Sequence, residues 1–366
     1  MSFLQKLIGG PLARERAEDE CLPNAQALPI LSSDALSSVA YATEASLGVL
    51  ILAGSSSLEL SLPITLAIVV LIAIVVLSYR QAIDAYPNGG GSYVVARDNL
   101  GANVGLIAAA ALLIDYTLTA AVSLMAGTQA LSSLIPAVLP HETSCALLIL
   151  ALVGWANLRG LKEAGRLFAL PTYFFVVMLA LLTVAGLADL WLSHGFSPDP
   201  PEQVKALEPL GWFLILRAFS SGCSAMTGIE SIANGVKVFR APAPQNARRT
   251  LVVMGAMLSL MVMSVSGLAY VYGIVPRDHI TVLAQIGSRV FGSGSALLWM
   301  LQISTLLILI LAANTAFTGF PRLAAMLADD SCLPKQMSWV GDRLVFQNGI
   351  AVLVSVTAVI VVICHG

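Results

Sequence analysis

A chain of 366 residues that is 57% hydrophobic and only 11% charged is too poor in charge for a soluble domain, in which about a quarter of residues carry one. A net charge of −2 argues against a nucleic-acid partner. Five cysteines without a CxxC pair and four histidines without ligand-like spacing argue against a disulfide framework and a transition-metal site.

The opening residues are polar and of mixed charge, so residues 1–26 read as a tail with no cleaved signal peptide. A helix needs about 20 apolar residues to cross the hydrocarbon core. On that rule the chain holds nine candidate spans: 27–53, 62–84, 102–134, 144–159, 167–192, 210–236, 249–274, 293–318 and 346–364. The fourth is the shortest. Turn-rich breaks such as "PNGGGS" at 87–92 and "SPDPPEQ" at 197–203 separate them. The organisation expected is five spans over 27–192, an external loop over 193–209, and four more spans over 210–366.

Positive charge sets the orientation. With the amino terminus inside, the inner segments hold Lys6, Arg14, Arg16, Arg80, Arg97, Arg159, Lys162, Arg166, Lys237, Arg240, Arg248, Arg249, Arg322, Lys335 and Arg343. The outer loops hold only Lys205, Arg277 and Arg289, and Arg217 falls within the sixth span. One miscounted span would scramble this bias downstream of it.

An ionisable residue inside a span is expensive, which makes a functional role the default reading. The first span reads "SSDALSSVAYATE" over 32–44, with Asp34, Tyr41 and Glu44 among serines. The third reads "LLIDYTLTAAVS", which puts Asp115, Thr119 and Ser123 on one helix face with Tyr116 beside them. The sixth reads "SSGCSAMTGIESIANG", with Thr227 and Glu230 one turn apart. Serines at 32–38, and glycines 222 and 228, are poor helix formers. A broken helix survives at membrane depth only where protein or a watery cavity covers it. Interrupted spans at corresponding positions of two halves point to the substrate path of a secondary transporter, and here they are spans one and six.

Blander readings stand beside these. Ser32, Ser33, Ser37 and Ser38 can bond back to the preceding turn. Asp34 can cap a helix, Asp115 can bond to a neighbouring helix, Glu230 can reach the surface, and Glu44 can be a structural partner. Arg80 and Asp84 are spaced as a structural i, i+4 pair. "NGGGSY" at 88–93 lacks the lysine of a phosphate loop and suits a close approach of the chain to other helices.

The segments "SSDALSSVAYATE", "PNGGGSYVVARDNLG", "IDYTLTAAVS" and "TGIESIANGVKVF" together resemble the amino acid–polyamine–cation superfamily. Within it they are most similar to the KimA-type branch of the potassium uptake permeases. The resemblance covers nearly the whole chain. It implies an all-α integral membrane protein with a LeuT-like five-plus-five inverted repeat, spans one and six broken, and the second repeat incomplete. It also implies proton-coupled potassium import across the cell membrane, with no enzymatic activity and no cofactor. The ion-site positions that carry over are Asp34, Tyr41, Asp115, Tyr116, Thr119, Ser123, Thr227 and Glu230. Potassium suits such carbonyl, hydroxyl and carboxylate oxygens. Amino-acid permeases of this fold instead aim helix N–H groups at a substrate carboxylate, which Asp34 would repel.

An amino-acid or polyamine substrate, or an inactive membrane fragment, remains the alternative expectation. The branch usually has twelve spans, whereas this sequence stops at the ninth. The expectation is therefore low stability and little coupled transport unless another chain fills the place of the tenth span.

Overall fold

The computed structural model describes residues 22–87, 89, 91–159, 165–194, 197–340 and 346–364. The tail through Cys21, with Lys6, Arg14 and Arg16, lies outside the described residues, as do Asn88, Gly90, Lys162 and Arg343. Every long described element is a helix. The first span is built from α1 (Asn24–Ser37) and α2 (Val39–Leu50). Then come α3 (Ser61–Ala85), the short α4 (Ser92–Leu100) and α5 (Ala102–Ser132). The first half closes with α6 (Glu142–Leu158) and α7 (Gly165–Asp189). The second half holds α8 (Trp212–Gly222), α9 (Ser231–Asn234), α10 (Ala243–Val271), α11 (Val282–Phe291), α12 (Ala296–Asp329) and α13 (Gln347–Cys364).

Eight of these runs, with α1 and α2 taken together, are long and apolar enough to cross a membrane. The remaining expected span, 210–236, is the segment from α8 to α9, whose longest regular helix has 11 residues. This is an all-α, multi-pass membrane protein. On α3 the division of faces is plain. Ile64, Ile68, Ile72 and Val76 are buried, while Leu66, Val70, Ile74 and Leu77 each keep more than half of their surface exposed, as a lipid-facing stripe should.

Helices approach closely where a side chain is missing. Gly127 of α5 faces Leu306 and Leu309 of α12, and a Cβ at Gly255 of α10 would come within 2.6 Å of Val76. Small residues at such crossings let apolar helices pack without a hydrophobic driving force between them.

Two helices outrun their expected spans. The eighth, expected over 293–318, continues to Asp329, because Leu323 and Leu327 dock against Tyr93 and Ala109 while Arg322 and Asp329 stay exposed. The seventh begins at Ala243 rather than 249, since Ala247 and Leu251 are already buried there. One pairing needs correction. Asp84 does not take Arg80, four residues back, but Arg248 of α10, whose Nη1 lies 2.9 Å from its carboxylate. The tertiary partner sits on the helix that packs along α3. At the opposite end of the bundle Arg277 pairs with Glu202 and Arg289 with Asp199, each at 2.8 Å.

Candidate functional site

The two interrupted spans face each other, and they are interrupted to different degrees. The first is disturbed only at Ser38. There Tyr41 N–H donates to the Ser38 carbonyl three residues back at 3.2 Å, and helix resumes at once. Its serines largely bond back: Ser37 Oγ donates to the Asp34 carbonyl at 2.8 Å. Ser38 Oγ lies 2.6 Å from the Ala35 carbonyl and 2.9 Å from that of Ala225 in the sixth span, so one hydroxyl bridges both elements.

The sixth span is opened more widely. After α8 the chain makes a 3-10 turn over Cys223–Met226. It then extends at Thr227 (ψ 146°) and enters the left-handed region at Gly228 (φ 74°). Glycine is required at 228 for that φ and for space, because a Cβ would sit 2.6 Å from the Asp34 carboxyl group. The break is thus moulded around Asp34.

Asp34 is 2% exposed and its Oδ1 has no hydrogen-bond partner among the described residues. The Tyr41 hydroxyl lies 3.4 Å from Thr227 Oγ1. Glu230, at the end of the break, is held from four elements. Tyr79 of α3 and Ser92 of α4 donate to its Oε2 at 3.2 and 2.6 Å. Asn234 Nδ2 and the Tyr116 hydroxyl donate to Oε1 at 3.0 and 3.4 Å. Asp115 lines a cavity of about 300 Å³ together with Tyr79, Ser92, Thr227, Gly228 and Glu230. A larger cavity of about 520 Å³ shares Glu230 and opens between Leu31, Tyr116, Asn234 and the carboxyl-terminal part of α12.

Asp115 and Glu230 line one cavity with Gly228, and the Asp34 carboxyl group packs against that glycine. Among the described residues no basic side chain forms an ion pair with any of the three. Such a constellation attracts cations or protons.

Six of the eight residues singled out in the sequence therefore meet at the sixth-span break: Asp34, Tyr41, Asp115, Tyr116, Thr227 and Glu230. Thr119 and Ser123 line neither cavity. They follow Asp115 along α5 as buried hydroxyls with no partner among the described residues. The close approach anticipated for the glycine run is present, since a Cβ at Gly89 would lie 2.8 Å from the Asn234 carbonyl. Tyr79, Ser92, Asn234 and the unpartnered Ser224 hydroxyl escaped the sequence reading. Only the position of Ser92 in the glycine run hinted at it.

Residues 34–366 match the amino acid permease family. The chain belongs to that family. The permease is 43% identical over its whole length to the potassium transporter KimA of Bacillus subtilis (strain 168), covering 60% of that protein. Over 80% of its length it is 25% identical to the large neutral amino acids transporter small subunit 2 of Mus musculus, and 24% identical to that of Homo sapiens. It covers 55% of each of these two. The permease thus spans a little over half the length of these relatives, all of them transporters by name. Its superfamily is the amino acid–polyamine–cation superfamily, and its similarity within it is to the KimA type.

Proposed function

We propose that this permease binds potassium between the first, third and sixth spans and imports it across the cell membrane in exchange for the energy of a proton gradient, with its amino terminus in the cytoplasm. The observation that carries this reading is the set of Asp34, Asp115 and Glu230, gathered at the sixth-span break without a basic partner among the described residues. A dehydrated monovalent cation is stabilised by a few hard oxygens. The Asp34 carboxylate and the hydroxyls of Tyr41 and Thr227 supply such oxygens, and the unpartnered hydroxyls of Thr119 and Ser123 stand further along α5. A carboxylate in a span can hold either a proton or a cation, so one site can exchange the two and couple their movements. The 43% identity to a potassium transporter supports potassium over other cations.

A second reading, an amino-acid or polyamine substrate, is favoured by the 520 Å³ cavity, which exceeds the needs of a bare ion. A polyamine suits three carboxylates better than an amino acid does, because the substrate carboxylate would meet Asp34. The test is uptake of radioactive rubidium by the full chain in liposomes, with and without an acid-outside gradient, against competing amino acids and polyamines. Rubidium uptake that rises with the gradient and ignores the organic competitors is expected. Uptake of an amino acid or polyamine without rubidium would replace potassium as the substrate.

A further inference from the structure

The 520 Å³ cavity leads from Glu230 toward the carboxyl-terminal end of α12, and among its described lining residues only Arg322 is basic. Arg322, Met326 and Asp329 form an exposed stripe of α12 along this cavity, while Leu323 and Leu327 are buried on the other side of the helix. The side chain therefore stands in the cavity rather than against lipid, and an anchor reaching for headgroups does not describe it. A fixed positive charge at that place would oppose a cation leaving by the same route.

No carboxylate pairs with Arg322 among the described residues. Asp330 is already taken, by Arg97 at 2.6 Å and by the Tyr93 hydroxyl. Asp329 lies about two turns further along the same helix, out of line for a pair.

The way toward Glu230 is open. Gly319, one turn before Arg322, has no side chain, and the Tyr116 hydroxyl would lie 2.9 Å from a Cβ placed there. The same hydroxyl is 3.4 Å from Glu230 Oε1. Arg322 follows Gly319 by about 4.5 Å along the helix axis, a gap that the long arginine stem can span. Gly319, Tyr116, Glu230 and Arg322 all line the one cavity, so open space connects guanidinium and carboxylate.

Charge balance gives that reach a use. Once a cation has left, Asp34, Asp115 and Glu230 remain within the spans without a basic partner, and reorienting such a bundle across a bilayer is expensive. A guanidinium that moves in as the cation leaves offsets this cost, and an arriving cation displaces it. We propose that Arg322 is a tethered counter-cation, which pairs with Glu230 in the unloaded carrier. The inference goes beyond potassium binding but rests on the reading of Glu230 as part of the cation site.

The test separates the loaded from the unloaded carrier, with the full chain in liposomes. Rubidium–rubidium exchange uses the loaded form alone, whereas net uptake also needs the empty form to return. Arg322→Ala should lower net uptake about tenfold, a modest share of what an unpaired carboxylate costs in a bilayer, and leave exchange within about twofold. Arg322→Lys keeps a charge on a long stem and should restore most of the net uptake. Equal loss of exchange and net uptake, or unchanged net uptake in Arg322→Ala, would overturn the proposal.

A second measurement needs no transport. Thermal melting of the wild type, Arg322→Ala, Glu230→Gln and the double variant forms a double-mutant cycle. Coupling between the two positions is expected in potassium-free detergent solution and should vanish at saturating potassium. No coupling in either medium would overturn the pairing. A wild type that moves no rubidium would fault the potassium reading alone, and the potassium-free cycle would still decide the role of Arg322.

Discussion

Asp115 shows how much a single residue can carry in a span. It faces the 300 Å³ cavity with no hydrogen bond or ion pair among the described residues, a position that structure alone does not reward. Asp115→Asn keeps the shape and removes the charge that would neutralise a dehydrated cation. Cation uptake should be abolished at normal expression and insertion, and wild-type rates in rubidium flux would refute the assignment. Gly228→Ala tests the moulding around Asp34. The new Cβ would stand 2.6 Å from the carboxyl group in a left-handed backbone, which by itself costs about 1–2 kcal/mol. Lowered thermal stability in detergent together with lost uptake is expected, whereas a stable and active variant would mean that Asp34 has room to move. At this scale the sequence was informative about the carboxylates, because a charge among apolar residues is conspicuous. Tyr79, Ser92 and Asn234 were not legible. Each is ordinary where it stands, and only the packing of four elements makes it a donor to Glu230.

Elements were legible to the extent that their composition departs from a good helix. The sixth span opens where Gly222, Gly228 and Gly235 weaken it, and the left-handed turn falls on one of them. The first span, expected to be broken over 32–38, is disturbed only at Ser38. The hydroxyls of Ser33, Ser37 and Ser38 return to carbonyls of the preceding turn and let the helix continue, which composition does not distinguish from a break. The lengths of α10 and α12 were underestimated for a related reason. Their ends are charged, yet one face remains apolar and docks on neighbouring helices. Ser38 joins the two interrupted elements through the Ala225 carbonyl, 2.9 Å away. Ser38→Ala should lower thermal stability by about 1 kcal/mol, the worth of one such bond, and reduce uptake more than stability. An effect on neither would make the contact incidental.

For the whole molecule, eight of the nine expected spans coincide with runs able to cross a membrane, and the ninth, 210–236, is the opened segment from α8 to α9. The structure adds that Arg277 and Arg289, two of the three cations expected in outer loops, are paired with Glu202 and Asp199. The orientation can be checked directly. A cysteine introduced at Lys205 should react with an impermeant maleimide in intact cells, while an epitope tag at the amino terminus should be protected from external protease. The reverse pattern would invert every inner and outer assignment. The convergence on Glu230 has a further consequence, for the order in which the protein is made. Tyr79, Ser92 and Tyr116 all precede Glu230 in the chain, and Asn234 follows it by four residues. Synthesis runs from the amino terminus, so three of the four donors are already in the bilayer when the carboxylate emerges. Glu230 thus emerges into a receptacle most of whose donors have already been made.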